Sequence, residues 1–142
     1  MKKFFTFLFI AALGAGGFAY YFYQQKTEKT TTDKSIAVFT SKDLLTEFNA
    51  NEAGANKKYG DQTITLEGTV FNTTVSDNNI LIELEGNDAL ESVICNFDIT
   101  SLPIEKIPKI GESIKIKGKF IAFTIEPLME TKTISMVQCL II

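Results

Sequence analysis

The spacing of apolar residues changes character three times along the chain. From Phe4 to Tyr23 no charge interrupts the sequence. Twenty such residues rise about 30 Å as a helix, enough to cross a hydrocarbon core. Gln24 to Phe39 (QQKTEKTTTDKSIAVF) is polar and Thr-rich, without a sustained period. Leu44, Phe48, Ala55 and Tyr59, with Leu45 beside them, fall on one face of a 3.6-residue period and predict an amphipathic helix. After Asp61 the period drops to 2. Ile64, Leu66, Gly68 and Val70 alternate with Thr63, Thr65, Glu67 and Thr69, the pattern of a half-buried strand.

The alternation recurs four times. Ile80, Ile82 and Leu84 form a second set, and Val93, Cys95 and Phe97 a third. Ile114, Ile116, Gly118 and Phe120 alternate with Lys115, Lys117 and Lys119, and Thr133 to Ile142 ends the chain with a very apolar strand. Turn-forming residues separate the sets at 75–79 and 86–88. Ser101 to Lys109 holds two of the three prolines and reads as a loop with one helical turn.

The ends of the helix are also written in the sequence. Thr40 or Ser41 supplies an N-cap, and Asp43 places negative charge in the first turn. Lys57 and Lys58 suit the last turn, and Gly60 is placed to end the helix. Gly54, a poor helix former, marks a close contact with the barrel. Gly68 and Gly118 lie inside the first and fourth strands, where a glycine often signals a bulge or bend. Those are the strands that bend in a five-stranded OB barrel. The expected fold is therefore mainly β: a five-stranded OB-fold barrel preceded by an amphipathic N-terminal helix, with a separate N-terminal transmembrane helix. The expected divisions are 1–25 as anchor or signal peptide, 26–40 as flexible tether, and 41–142 as helix plus barrel.

Charge sharpens this division. Residues 1–39 carry five lysines against Glu28 and Asp33, a net +3, whereas residues 40–142 carry nine lysines against fifteen acids, a net −6. An acidic domain repels nucleic acid and anionic headgroups. The chain has no Arg, His or Trp, so bidentate recognition of phosphate or guanine is absent. Lys2 and Lys3 favour a cytoplasmic N-terminus, and Tyr20, Tyr21 and Tyr23 suit the far membrane interface. A cleaved signal peptide is the competing reading, with Phe4–Leu13 as apolar region and Gly14-Ala15-Gly16 as small residues for cleavage. Both readings export the domain. No Cys lies near this segment, which excludes a lipid-modified lipoprotein signal.

The series of motifs resembles a known family. Phe48, Asn51-Glu52, Ala55 and Tyr59 carry F-x-x-N-E-x-x-A-x-x-x-Y, followed by I-x-L-x-G-x-V at Ile64–Val70. Then come V-x-C-x-F at Val93–Phe97, G-x-x-I-x-I-x-G-K at Gly111–Lys119, and a last strand with Cys139. Over about Ser41 to Ile142 these are similar to the tRNA_anti-like family of bacterial OB-fold domains found on exported proteins. The resemblance implies an OB-fold and export, and little about activity. One departure is FIAF at Phe120–Phe123, where relatives often carry a Cys and a Gly.

The residues that could carry chemistry are few. Cys95 and Cys139 read either as a disulfide, since strands 3 and 5 are neighbours in an OB barrel, or as two buried thiols. Asn51 and Glu52 read as a ligand-contacting pair or as bonds closing the junction of helix and barrel, with structure the stronger reading. Tyr59 reads as a core-edge aromatic with its hydroxyl at the surface. Lys115, Lys117 and Lys119, with Phe71, Phe97, Phe120 and Phe123 nearby, have the composition of a single-strand-binding surface. Phe97 and Phe120, however, are in the inward register, and Glu67, Glu83 and Glu85 crowd the neighbouring faces. No catalytic residue, cofactor site or metal site emerges, and without His the commonest general base is missing.

The function expected is a membrane-anchored extracytoplasmic OB-fold binding module for a protein or small ligand, not an enzyme. The alternative is oligonucleotide or oligosaccharide binding through the OB face. The partners expected are the membrane, through residues 4–23, and an envelope protein or a small ligand; nucleic acid is disfavoured. The expected location is the bacterial inner membrane, single-pass, N-terminus cytoplasmic and barrel periplasmic, or secretion after signal cleavage.

Overall fold

The period-2 segments form the strands they predict, most of them longer than the alternation alone suggests. The computed structural model describes residues 34–142. The spanning stretch and its cleavage site lie outside the described residues, among which no helix is long and apolar enough to cross a membrane. In chain order the elements are strand β1 (Val38–Thr40), helices α1 (Ser41–Ala50) and α2 (Glu52–Tyr59), and strands β2 (Thr63–Val75), β3 (Asn79–Glu85) and β4 (Glu91–Asp98). A single 3₁₀ turn (Ile104–Lys106) follows in the Pro-containing loop, then β5 (Ser113–Glu126) and β6 (Thr131–Ile141).

Five strands close on themselves. β2 pairs antiparallel with β3, β3 with β4, and β5 with both β6 and the first half of β2. β4 and β6 run parallel, with Cys95 opposite Met136. The order around the barrel is thus β2-β3-β4-β6-β5 and back to β2. β1 lies parallel to β2, Val38 opposite Thr65, ahead of where β3 begins. Its three residues fall in the stretch that the sequence assigns to the tether.

The inward set of each strand fills the interior: Ile64 and Leu66, Ile80 and Ile82, Val93 and Phe97, Ile116 and Phe120, Ile134 and Met136 are all buried. Leu44, Leu45 and Phe48 of α1 and Ala55 and Tyr59 of α2 join the same core. Burying each large side chain contributes about 1.5–3 kcal/mol, so the helices are held by this one face.

The single helix expected over Leu44–Tyr59 is two helices, and the reason is Asn51. Its backbone leaves the helical region (φ −156°, ψ 82°). Its N–H still donates to the Glu47 carbonyl at 3.1 Å, ending α1. Its side-chain oxygen accepts from the Gly54 N–H at 3.0 Å, starting α2. Asn competes for local backbone groups in this way, which suits it to caps rather than helix interiors. Gly54 is explained by the same cap. A β-carbon there would lie 2.5 Å from Asn51 Nδ2, so its close contact is with Asn51 and not with the barrel. Asn51→Ala is expected to cost about 1 kcal/mol and lower the melting temperature by about 4–8 °C, while Asn51→Asp retains most of the stability. Thermal denaturation followed by circular dichroism checks both.

The two strand glycines differ. The β5–β6 register shifts between Lys117 and Lys119, where Gly118 faces a bulge whose extra residue lies in β6, at Gln138–Cys139, and a β-carbon on Gly118 would press on Cys139 Sγ at 2.7 Å. At Gly68 the β2–β5 register runs unbroken. That glycine instead admits Ser41 Oγ of α1, 2.9 Å from where its β-carbon would sit. The irregularity in β2 falls between Val70 and Asn72, leaving Phe71 as the extra residue.

Candidate binding groove

Alternate residues of a strand face opposite ways, so the core-forming register of β3 and β4 sends Glu83, Glu85, Ser92 and Ile94 to the outside. Phe71 continues the outward set of β2 after Thr69, at the point where the register with β3 shifts, and it is 55% exposed. Together with the β3–β4 loop and the start of β6, these side chains line a groove of about 510 Å³. A second hollow of about 420 Å³ lies between the β3–β4 loop and the β5–β6 hairpin, and Asp88, Leu90 and Glu91 border both.

Glu91 is the residue around which the groove is built. It occupies the inward register of β4, in line with Val93 and Cys95, and its side chain is only 5% exposed. Asn49 of α1 donates to Oε1 at 2.7 Å and Asn87 to Oε2 at 3.0 Å. Lys132 of β6 completes the set with Nζ at 3.4 Å. Burial pushes the Glu91 carboxyl up, but these three hydrogen bonds outweigh it and hold it below its ordinary value. The carboxylate therefore stays ionised at neutral pH, with Lys132 as counterion. Asn87 also donates to the Lys42 carbonyl at 3.2 Å, tying the loop to α1. Asp88 fixes the turn by accepting from the Leu90 N–H at 2.8 Å. Gly86 allows the hairpin to close, since a β-carbon there would collide with the Glu91 carbonyl. Four acids, Glu83, Glu85, Asp88 and Glu91, line the groove, against the single lysine Lys42.

The residues singled out from sequence lie elsewhere. Cys95 and Cys139 are brought together inside the barrel, yet both are free thiols. Burial, and then a hydrogen bond with Cys95, push the Cys139 thiol well above its ordinary value. Asn51 and Glu52 are exposed at the helix break, and Asn51 acts as a cap. Tyr59 is fully buried as a ring. It packs edge-on against Phe39 at 5.4 Å, and its hydroxyl donates to the Glu47 carboxylate at 2.8 Å. A hydrogen bond from Lys58 holds that carboxylate below its ordinary value, against opposing burial and with help from Tyr59. None of these five residues lines the groove.

The lysine-and-aromatic surface does not assemble. Phe97, Phe120 and Phe123 are buried, leaving Phe71 exposed. Lys115 pairs with Glu67, and Lys119 with Asp61 at 3.2 Å, on the β2–β5 side. The buried Glu91 was not singled out from sequence. Its signal is a lone acid in an inward register; its partners Asn49, Asn87 and Lys132 come from three elements and carry no shared pattern.

A five-stranded barrel closed in this order, with a helix packed at the core and a groove across β3 and β4, is an OB-fold. A sequence model of the tRNA_anti-like family matches residues 1–133, and the chain belongs to that family. The match reaches further back than the Ser41 start read from the motifs and stops short of Cys139. No curated protein matches the chain. Among solved structures, one described as a "putative nucleic acid-binding lipoprotein" from Klebsiella pneumoniae subsp. pneumoniae MGH 78578 is similar, with a TM-score of 0.57 at 11% identity over 81% of this chain and 96% of that one. A replication protein A heterotrimer bound to ssDNA aligns with a TM-score of 0.37 at 15% identity, over 56% of this chain and 57% of that one. An aspartyl tRNA synthetase from Entamoeba histolytica aligns with a TM-score of 0.41 at 12% identity, over 59% of this chain and 19% of that one. At these identities the first likeness is one of fold.

Proposed function

We propose that this protein is a binding module, not an enzyme, which residues 4–23 tether to the bacterial inner membrane with the barrel on the extracytoplasmic side. Its OB face takes a protein segment or a small ligand that carries positive charge. The observation that carries this reading is the groove itself, lined by Glu83, Glu85 and Asp88 together with the exposed ring of Phe71. A cationic ligand gains from the carboxylates and an apolar or flat one from the ring, while a polyphosphate is repelled. The location rests on Lys2-Lys3 and the uncharged stretch after them.

A second reading, oligonucleotide or oligosaccharide binding, is favoured by Phe71. An exposed aromatic on this face of the barrel is what stacks against a base or a sugar ring, and the similar Klebsiella protein is described as nucleic acid-binding. Fluorescence anisotropy of the full-length chain with octalysine, an oligothymidine and a neutral oligosaccharide separates the readings. Octalysine is expected to bind and to weaken with salt. Glu83→Gln combined with Glu85→Gln should reduce its affinity about tenfold. Oligothymidine or oligosaccharide binding that Phe71→Ala abolishes, with no octalysine binding, would establish the second reading instead.

A further inference from the structure

The β5–β6 hairpin does not end in ordinary turn chemistry. Its tip reads Glu126-Pro127-Leu128-Met129-Glu130. Leu128 is 91% exposed and Met129 68%. Hairpin tips are normally polar, and two adjacent large apolar side chains held in solvent mark a contact surface. Ile125 and Leu90 are also exposed, and both line the hollow beside the tip. The two loops are joined, since the Lys132 N–H donates to the Leu90 carbonyl at 2.8 Å. Leu128 and Met129 line neither hollow, but Pro127 and Glu130 of the same tip border the second, which shares Asp88, Leu90 and Glu91 with the groove.

We propose that this surface docks a protein segment in which a bulky apolar side chain lies next to Lys or Arg. The proposal rests on the reading of the groove as a binding site and names the partner. Charge complementarity selects the occupant. Asp88, Glu126 and Glu130 border the apolar positions, and the nearby Lys132 is already engaged by Glu91. The apolar anchor takes the hollow against Leu90 and Ile125, and the flanking cation meets the carboxylates. Met129 suits such a contact because its side chain adapts to the shape it meets. The same acids disfavour the other candidate for an apolar tip, a membrane surface with anionic headgroups.

Display of random dodecapeptides against the full-length chain tests the proposal. The selected peptides are expected to share a Leu, Ile, Met or Phe within two residues of Lys or Arg. A labelled consensus peptide should lose about tenfold or more in affinity on Leu128→Ser combined with Met129→Ser. Both side chains are exposed, so the melting temperature of that variant should stay at the wild-type value, which separates lost contact from lost fold. Peptides that bind this variant as tightly as wild type, but are weakened by Phe71→Ala, would leave the groove as the binding site and overturn the role of the tip. Failure to select any peptide would overturn the proposal, whereas the groove reading falls only if octalysine also fails to bind. Protection of backbone amides at 128–130 from hydrogen exchange by vesicles of phosphatidylethanolamine and phosphatidylglycerol, in place of protection by peptide, would make the tip a lipid contact and overturn the proposal.

Discussion

Replacing Phe48 with alanine is expected to lower the free energy of unfolding by about 3–5 kcal/mol. The residue joins three parts of the fold. It projects from α1 into the core, where it is 1% exposed. Its ring stacks on Phe120 of β5 at 5.0 Å and approaches Phe123 at 5.2 Å and Tyr59 of α2 at 6.1 Å. Deleting it removes the apolar transfer energy and leaves a cavity. The cavity wall includes β5, a strand of a closed barrel paired on both sides, and it cannot readily collapse. The loss therefore falls toward the upper end of the range. Against a total of about 5–15 kcal/mol for a domain of this size, the variant is left marginal. Phe48→Leu keeps part of the volume and should cost less, within the ordinary range of about 0.5–3 kcal/mol. Urea denaturation measures both, with a lower midpoint at an unchanged slope. A loss below about 1 kcal/mol for alanine would mean that the helix does not contribute to the barrel core as the geometry requires.

That prediction could almost be made without coordinates. Phe48 stands out in the helical period, and the faces of α1, α2 and the strands follow from spacing because burial imposes spacing. What spacing cannot show is where a local hydrogen bond overrides it. Asn51 leaves the apolar face in phase across the break, so a period of 3.6 persists although the helix does not. Phe71 continues the outward set of β2 after Thr69. Only the register with β3 reveals a bulge there, which puts Thr73 and not Asn72 opposite the inward Ile82. β1 is three residues long, and its place is set by a parallel partner more than twenty residues away. The groove was the least legible feature, since Asn49, Asn87, Glu91 and Lys132 meet only after four elements have packed. Glu91 alone carried a signal, a charge where alternation calls for an apolar side chain. The lysines of β5 were legible as a solvated face, because Glu67 of the neighbouring strand stands in the outward set beside them and pairs with Lys115.

Glu91→Ala is expected to destabilise the protein by about 1–2 kcal/mol, chiefly through its polar partners. The cost comes from what remains. The amides of Asn49 and Asn87 lose their acceptor within a half-buried site, and Lys132 loses its counterion. Leaving a buried donor unmatched costs about 1–3 kcal/mol; Asn49 and Asn87 are themselves exposed, Asn87 keeps the Lys42 carbonyl, and Lys132 is partly exposed, so water and the remaining acceptor hold the sum at the lower end. Glu91→Gln separates shape from charge, because a glutamine can still accept through its carbonyl but cannot pair with the lysine. The pH dependence then isolates the charge. The folded carboxyl lies below the ordinary 4.5, so the folded state binds a proton less readily than the unfolded one. The resulting stabilisation is fully present above pH 4.5 and is lost as pH falls through the folded value. Wild type should therefore lose its advantage over Glu91→Gln on acidification below about pH 4.5. Glu47 and Asp98, also held below their ordinary values, persist in both proteins and cancel in the comparison. The same protonation removes negative charge from the base of the groove, so a cationic ligand should be released over the same interval. An advantage of wild type over Glu91→Gln that stays constant from neutral pH to well below 4.5 would show that the three donors hold a shape and not an ionised carboxylate.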